Sequence, residues 1–526
     1  MKSNSNNIFI VLFILVVMGL IGGAVYILYF SQETTDWDEE EIEEVNETTE
    51  TISVVGNLKM GISNFDTMNP LLSNNKEILN IDKLIFEPLI NITSDYNTEK
   101  CLAKEINKTS DNEYQIKLDT SIKWQDGSSL ISKDIQYTVD RLKEINSIYS
   151  PNVRFIESVE VPDSETAIIK LTEPVRFFEY YLDFPIVSSS YYLNEDFQSS
   201  GKIPIGTGMY KIASIDDDKV FLIRNDRWRF IKEKTPKTES ITITKSTSMG
   251  EIFNSFKLGN MDIINTNMPN YAEFVGTMGY NRREYAGRNY DFIAINCYDS
   301  LLSSKEVRKA INLAINRDNI ISSVFNGTKT ASYSPLDYGS YLYDTNTRVK
   351  SNQEEAKKIL ENDGWTYTNE RWQKNIDGYV ARLTLSMVVC DDNEERLNTI
   401  YNIQSQLQEV GIVLNVARVN RDRYYQFLNE KNYQMILTGV TNSVNPDLSY
   451  FYGQNNIANY YNDDIMSKIE ILDKYSEIEK QVADDVPYIG LYRNKGAVIL
   501  NANVGGDFKS NNYYTYYNFN EWFRQQ

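Results

Sequence analysis

Two kinds of side chain decide what chemistry this chain can perform, and one of them is missing. Its 526 residues include no histidine. Ser-His-Asp and Cys-His nucleophilic relays are therefore excluded, as is every histidine metal site. The three cysteines, Cys101, Cys297 and Cys390, stand far apart. No Cys-x-x-Cys spacing suggests a zinc ribbon or redox pair, and no paired set suggests a disulfide framework. Carboxylates are abundant, 73 against 53 Lys and Arg, but no spacing among them singles out an acid–base couple. The residues point away from catalysis, with no catalytic residue, no metal ligand and no cofactor expected. The net charge of -20 argues against nucleic acid, which needs a basic footprint, and against docking on anionic lipid. The 37 tyrosines suit a surface for mixed polar and apolar ligands, though Tyr is also an ordinary strand residue.

The elements that position these residues begin with an apolar run. Ile8 to Phe30 is uncharged and rich in Ile, Val, Leu and Phe, longer than the roughly 20 residues that cross a bilayer. Lys2 precedes it and a dense acidic segment follows, so it is expected to be a single-pass anchor (8–30) with a cytoplasmic tail (1–7). A cleaved signal peptide is the competing reading. Residues 31–53, with Asp36, Asp38 and Glu39 to Glu41, are expected to form a self-repelling acidic stalk. From Val54 the pattern alternates strands and helices, as in α/β lobes. Ile81 to Leu89 reads as a helix. Ser132 is expected to cap a helix through Leu142, and Lys211 to Asn225 reads as a hairpin turning at Asp216-Asp217-Asp218. Tyr290 to Asn296 reads as a buried strand. Ser303, three residues before Glu306, then fits a capping box for a helix with Val307, Ala310, Ile311 and Ala314 on one face. A second helix is expected from Asp318 to Gly327, and another strand from Tyr433 to Thr441.

The order of these residues resembles one family, the substrate-binding proteins of ABC importers in the oligopeptide/dipeptide/nickel group (solute-binding protein family 5). A strand ending in Asn296 is followed by Val307-Arg308-Lys309-Ala310-Ile311-Asn312, Ala314-Ile315, Arg317-Asp318 and Gly327. Upstream lie Met68-Asn69-Pro70-Leu71, then Glu87-Pro88-Leu89, and then Trp124, Asp126, Gly127, Asp134, Tyr137, Thr138 and Arg141, with Gln125 where the family has His. Pro204 to Tyr210 reads PIGTGMY, and Asp484 to Tyr492 reads DDVPYIGLY.

The resemblance implies a two-lobed, periplasmic-binding-protein-like α/β fold of type II with an extra inserted domain, behind the N-terminal transmembrane helix. Lobe I is expected at 54–90, 204–287 and 486–526, the inserted domain at 91–203 and lobe II at 288–485. It also implies a peptide or peptide-like ligand closed between the lobes, ABC permease subunits as partners, and a globular part on the extracytoplasmic face of the cell membrane. In peptide-binding members an extended backbone pairs with strands at the cleft. By position, and because α/β ligands bind where strands open into loops, the cleft is expected to be lined by Asn69, by Asn296, Cys297 and Tyr298, and by Thr438, Gly439, Val440, Thr441, Asn442 and Asp447. One departure matters. Where peptide binders carry an Asp four residues before a Pro, counting back from Pro446 gives Asn442, whose neutral amide adds no Coulomb attraction for an ammonium. Either the anchors come from elsewhere, as at Asp447 or Arg418 to Arg423, or the ligand is not a free-ended peptide. A peptide-signal receptor and a scaffold that keeps the fold without transport are the alternatives.

Overall fold

The computed structural model describes residues 54–267, 279–376 and 378–525. The anchor and stalk expected at 1–53 lie outside them. Among the described residues no helix is long and apolar enough to cross a membrane.

One sheet runs through the body. Its strands are β1 (Asn57–Ser63), β2 (Tyr210–Ile215), β3 (Lys219–Arg224), β4 (Ser240–Ser246), β5 (Ile263–Thr266), β6 (Tyr280–Ile295), β7 (Thr384–Cys390), β8 (Val413–Val419), β9 (Met435–Thr441) and β10 (Tyr488–Asn501). Their spatial order is β8-β7-β9-β6-β10-β5-β1-β4-β3-β2, with Lys329–Ala331 also paired on β10. The two long strands, β6 and β10, are antiparallel and join the halves. From Tyr280 to Ala286, β6 pairs with Asn501 to Lys495. From Tyr290 it pairs with Arg493 to Tyr488, and the register shifts between the two runs. A β-carbon on Gly287 would stand 3.0 Å from the Asn494 carbonyl oxygen, so the backbones approach closely there.

Period-two alternation builds the core on both faces of the sheet. Ile293 and Ile295 of β6 join Met387 and Leu437 under three helices, α3 (Lys305–Ala314), α4 (Arg317–Phe325) and α5 (Glu394–Glu409). Tyr290 and Phe292 face the other way, into an aromatic cluster with Phe451 and Tyr488. In the other half, Leu58, Met60 and Ile62 of β1 bury one face. A separate four-stranded sheet (Ala103–Ser110, Glu113–Leu118, Thr166–Leu171, Ile156–Glu160) carries its own core. Against it lies α2 (Ser132–Glu144), through Ile135, Val139 and Leu142.

The family-like motifs converge on the joint between that sheet and the β1 half. The Trp124 indole, 1% exposed, donates to Asp134 at 3.1 Å, and the same carboxylate accepts the Ile131 amide at 3.0 Å at the start of α2. Gln125 accepts from the Gly206 amide (3.0 Å) and donates to the Tyr210 carbonyl (2.8 Å). Gly206 sits where a β-carbon would lie 1.9 Å from the Ile85 carbonyl oxygen, so only glycine fits. Glu87 accepts from Thr207 (2.8 Å) and pairs with Arg229 at 2.6 Å, both side chains 11% exposed. The matched residues are thus mutual packing and hydrogen-bonding partners.

Several element bounds differ from expectation. Helix α1 spans Lys76–Asp82, capped by Asn75, and does not run from Ile81 to Leu89. After Asp82 the chain tightens into turns, Leu84 N to Ile81 O at 2.9 Å and Ile85 N to Asp82 O at 2.9 Å. Pro88 disfavours helix at the residue before it. The cap of α3 is Ser304, which accepts the Val307 amide, not Ser303. Helix α4 is capped by Asn316 and ends at Asn326 in the left-handed region, with Gly327 next. The hairpin β2–β3 turns at Asp216 to Asp218 as expected.

Candidate functional site

A cavity of about 950 Å³ opens beside the β6–β10 ribbon. The end of α1 and the residue after it contribute Leu79 and Lys83. Thr266 ends β5, and Tyr285 and Arg288 come from β6. The chain beyond β9 contributes Thr441 and Ser443, the region of the separate sheet Tyr149, Arg154 and Asp183, and the C-terminal segment Tyr513. A second cavity of about 280 Å³ shares Thr441, Ser443 and Val444 with the first and is lined also by Asn442, Asp447, Asp337 and Phe451.

A line of polar contacts crosses the larger cavity. The Arg288 Nε donates to the Asn442 carbonyl at 2.7 Å, and its guanidinium lies 4.8 Å from the Tyr513 ring centre. The Tyr513 hydroxyl donates to the Ser443 carbonyl at 2.7 Å, and the Tyr513 carbonyl accepts from Lys83 Nζ at 2.5 Å. Asp183 accepts from Asn152 at 2.7 Å. Burial pushes the Asp183 carboxyl up, with Lys83, Asn152 and Arg288 opposing it; burial pushes Lys83 down, with Asp183 opposing. Positive and negative groups thus alternate along the walls, which suits a ligand carrying both charges more than a purely apolar one.

Beneath the floor lies a chamber of about 20 Å³. Leu79, Lys83, Tyr149 and Asp183 line it and the large cavity alike. Asp82 lines the chamber only. It is 3% exposed, and neither carboxylate oxygen has a hydrogen-bond partner among the described residues.

The residues expected in the site divide. Val440, Thr441, Asn442 and Asp447 line the second cavity. The Asn442 amide already donates to the Pro335 carbonyl at 2.6 Å. The Asp447 carboxylate accepts from the Ser449 amide at 2.9 Å, and Arg176 stands 4.0 Å away. Gly439 lines a third cavity of about 230 Å³, where Asp291 and Arg396 pair at 2.8 Å. Thr438 is buried in the β6–β9 ladder opposite Phe292.

The structure does not bring Asn296, Cys297 and Tyr298 to this place. Asn289 of β6 pairs with Thr441, whereas Ile295 pairs with Met435, so Asn296 lies about 20 Å along the ladder from the cavity wall. Its side chain donates to the Tyr433 carbonyl (3.0 Å) and accepts from Asn459 (3.0 Å); Tyr298 is 75% exposed. The reason is strand direction. β6 enters this half from the cavity side and β9 runs back towards it, so only β9 ends there. Asn69 is buried and accepts the Leu71 amide at 3.1 Å, a turn-forming role away from the cavity walls. Of the basic group from Arg418 to Arg423, Arg421 pairs with Asp392 at 2.7 Å.

Lys83, Asp183, Arg288 and Tyr513, which line the large cavity, and Asp82, which lines the chamber, are not among the residues expected from sequence. Only Asp82 left a trace in sequence, as the one acid in the apolar run from Ile78 to Ile92 apart from Glu87.

The model of bacterial extracellular solute-binding proteins, family 5 Middle, matches residues 97–462. The oligopeptide-binding protein AppA of Bacillus subtilis (strain 168) is 22% identical over 500 residues, covering 89% of this chain and 91% of its own. The nickel-binding periplasmic protein of Escherichia coli (strain K12) is 20% identical over 394 residues, covering 71% and 73%. Among solved structures, the unliganded open form of MppA, a periplasmic murein tripeptide binding protein, aligns with a TM-score of 0.76 at 14% identity. It covers 90% of this chain and 98% of that one. The shared architecture is a mixed α/β fold of two lobes.

Proposed function

The chain belongs to the bacterial extracellular solute-binding proteins of family 5, and on that premise we propose that it is the substrate-binding component of an ABC importer. It captures a peptide or peptide-like solute between its lobes and delivers it to permease subunits. The observation that carries this reading is the cavity of about 950 Å³ walled by both halves and bordered by their connecting ribbon. Binding that touches both walls favours the closed form by its differential contacts, and the register shift between Ala286 and Tyr290 gives the ribbon a place to bend. No bond is made or broken in this cycle.

Within this reading, lobe I comprises 54–90, 204–287 and 486–526, the inserted domain 91–203, and lobe II 288–485. Val440, Thr441, Asn442 and Asp447 belong to the ligand-facing wall. Residues 8–30 tie the globular part to the outer face of the cell membrane. The peptide ligand is supported by relatives that are oligopeptide-binding proteins, AppA among them.

The test is mass spectrometry of small molecules released by denaturing the purified chain. Peptides recovered in stoichiometric amount are the expected result. A chain that releases nothing, and whose melting temperature no peptide mixture raises, overturns the reading, because a ligand bound only to the folded state must raise it.

A further inference from the structure

A buried carboxylate with no partner needs an explanation, because native interiors rarely leave one unsatisfied. Asp82 is such a group three times over. It is 3% exposed, both its oxygens are unpartnered among the described residues, and it ends α1, where the helix dipole disfavours a negative charge. The protein's own nearby cation does not serve it. Lys83 Nζ instead donates to the Tyr513 carbonyl and lies 5.4 Å from the Tyr514 ring centre.

The space in front of Asp82 is selective. At about 20 Å³ the chamber holds one water-sized group. Its walls include Leu79, Phe86, Pro88 and Ile92, which add no donors from their side chains. A guanidinium, carboxylate or phosphate is too large for it. Leu79, Lys83, Tyr149 and Asp183 also line the ligand cavity, so the chamber adjoins the place where a solute lies.

We propose that the captured solute carries a primary ammonium group, which enters this chamber and is held by the Asp82 carboxylate, with Asp183 and Tyr149 at its mouth. The proposal rests on the reading of the chain as a solute receptor and names the class of solute. An ammonium is a compact point charge with three donors, which suits a small chamber lined by two carboxylates, Asp82 and Asp183, whose Lys83 is turned to the Tyr513 carbonyl. Without it, burial pushes the Asp82 carboxyl up, with repulsion from Asp66 adding to that. A docked cation opposes that shift by supplying the counter-charge the carboxylate lacks.

The test uses the ligand-stripped full chain and a mixed-sequence peptide pool in two forms, with amines free and with all amines acetylated. Retained peptides are quantified by mass spectrometry. Wild-type protein is expected to retain the free-amine pool about tenfold or more over the acetylated one, the range of a charge-assisted hydrogen bond. Asp82→Asn, which keeps the shape and folds without the buried charge, is expected to bring that ratio close to one. Asp183→Asn lowers the ratio by less. Equal retention of both pools by wild type, or an unchanged preference in Asp82→Asn, overturns the ammonium site and leaves the receptor reading standing. Retention of neither pool by wild type overturns both.

Discussion

Glu87 and Asp82 are buried carboxylates five positions apart on one stretch of chain, yet they live in opposite circumstances. Glu87 stands at the joint where the motif residues meet, and Thr207, Arg229 and Trp228 all reach it. Asp82 stands under the cavity floor, and no described residue donates to it. The first carboxylate is satisfied by the fold itself and binds two parts of the protein together. The second is left unsatisfied, so stability alone does not account for its presence. The difference separates residues that build the body from a residue kept for something the body lacks.

Four measurements break or sharpen that contrast. The largest effect belongs to the joint. Arg229→Met takes from Glu87 its counter-charge, leaving the hydrogen bonds from Thr207 and Trp228, and is expected to cost about 3 kcal/mol in urea unfolding. A loss under about 1 kcal/mol would remove Glu87 from the satisfied class.

Glu479 extends the comparison to a third buried acid. It is 1% exposed with one oxygen unpartnered, and burial raises its pKa to about 7, partly opposed by a hydrogen bond from Ser334. Between about 4.5 and about 7 the folded chain holds a proton that the unfolded chain has released. Stability therefore falls as pH rises through that window and levels off above it. Glu479→Gln is expected to remove this fall, worth about 3 kcal/mol at pH 8 and nothing at pH 4. Parallel stability curves for the two proteins across pH 4–8 would contradict it.

Asp82→Asn is expected to act with the opposite sign to Arg229→Met. In ligand-free protein at pH 7 it should stabilise by about 1–3 kcal/mol, since it removes a group whose ionised form is desolvated and unpaired. The gain should shrink as pH falls towards the ordinary aspartate value of 3.8 and vanish below it, where the carboxyl is protonated in both states. A destabilised variant would mean that Asp82 already has a partner.

The smallest effect is at Tyr513→Phe, which deletes the donor to the Ser443 carbonyl. A loss of about 1 kcal/mol is expected, with ligand affinity weakened in step because the same ring lines the cavity. Unchanged unfolding and unchanged binding would make that contact incidental.

Much of the scaffold was legible in the sequence because it is written in local rules. The buried strands β6 and β9, the turn at Asp216 to Asp218 and the apolar face of α3 all follow from short-range patterns. Cap positions slipped by one residue, as with Ser304, because neighbouring serines satisfy the same pattern. The extent of α1 was misread because the apolar residues from Leu84 to Leu89 keep a helical look while the chain makes turns. The site was far less legible. Its walls come from α1, β6, the loop after β9, the separate sheet's region and the C-terminus, which no local pattern links. The strand-end rule led to Thr441, which lines the cavity, and equally to Asn296, which does not, since strand direction in a shared ladder is invisible until the pairing is known. Motif density marks the scaffold. Trp124 and Gly206 match the family pattern, Gln125 stands where the family has His, and each is occupied with another part of the protein.

The ribbon of β6 and β10 has one more consequence. Among the described residues, the strands that run from one half into the other are hydrogen-bonded partners along nearly their whole length, so this ribbon offers an enzyme little to nick. Cleavage elsewhere on the surface, at loop tips such as Asp216 to Asp218, leaves the two halves joined and their relative travel intact. Limited digestion should therefore trim the molecule long before it parts it.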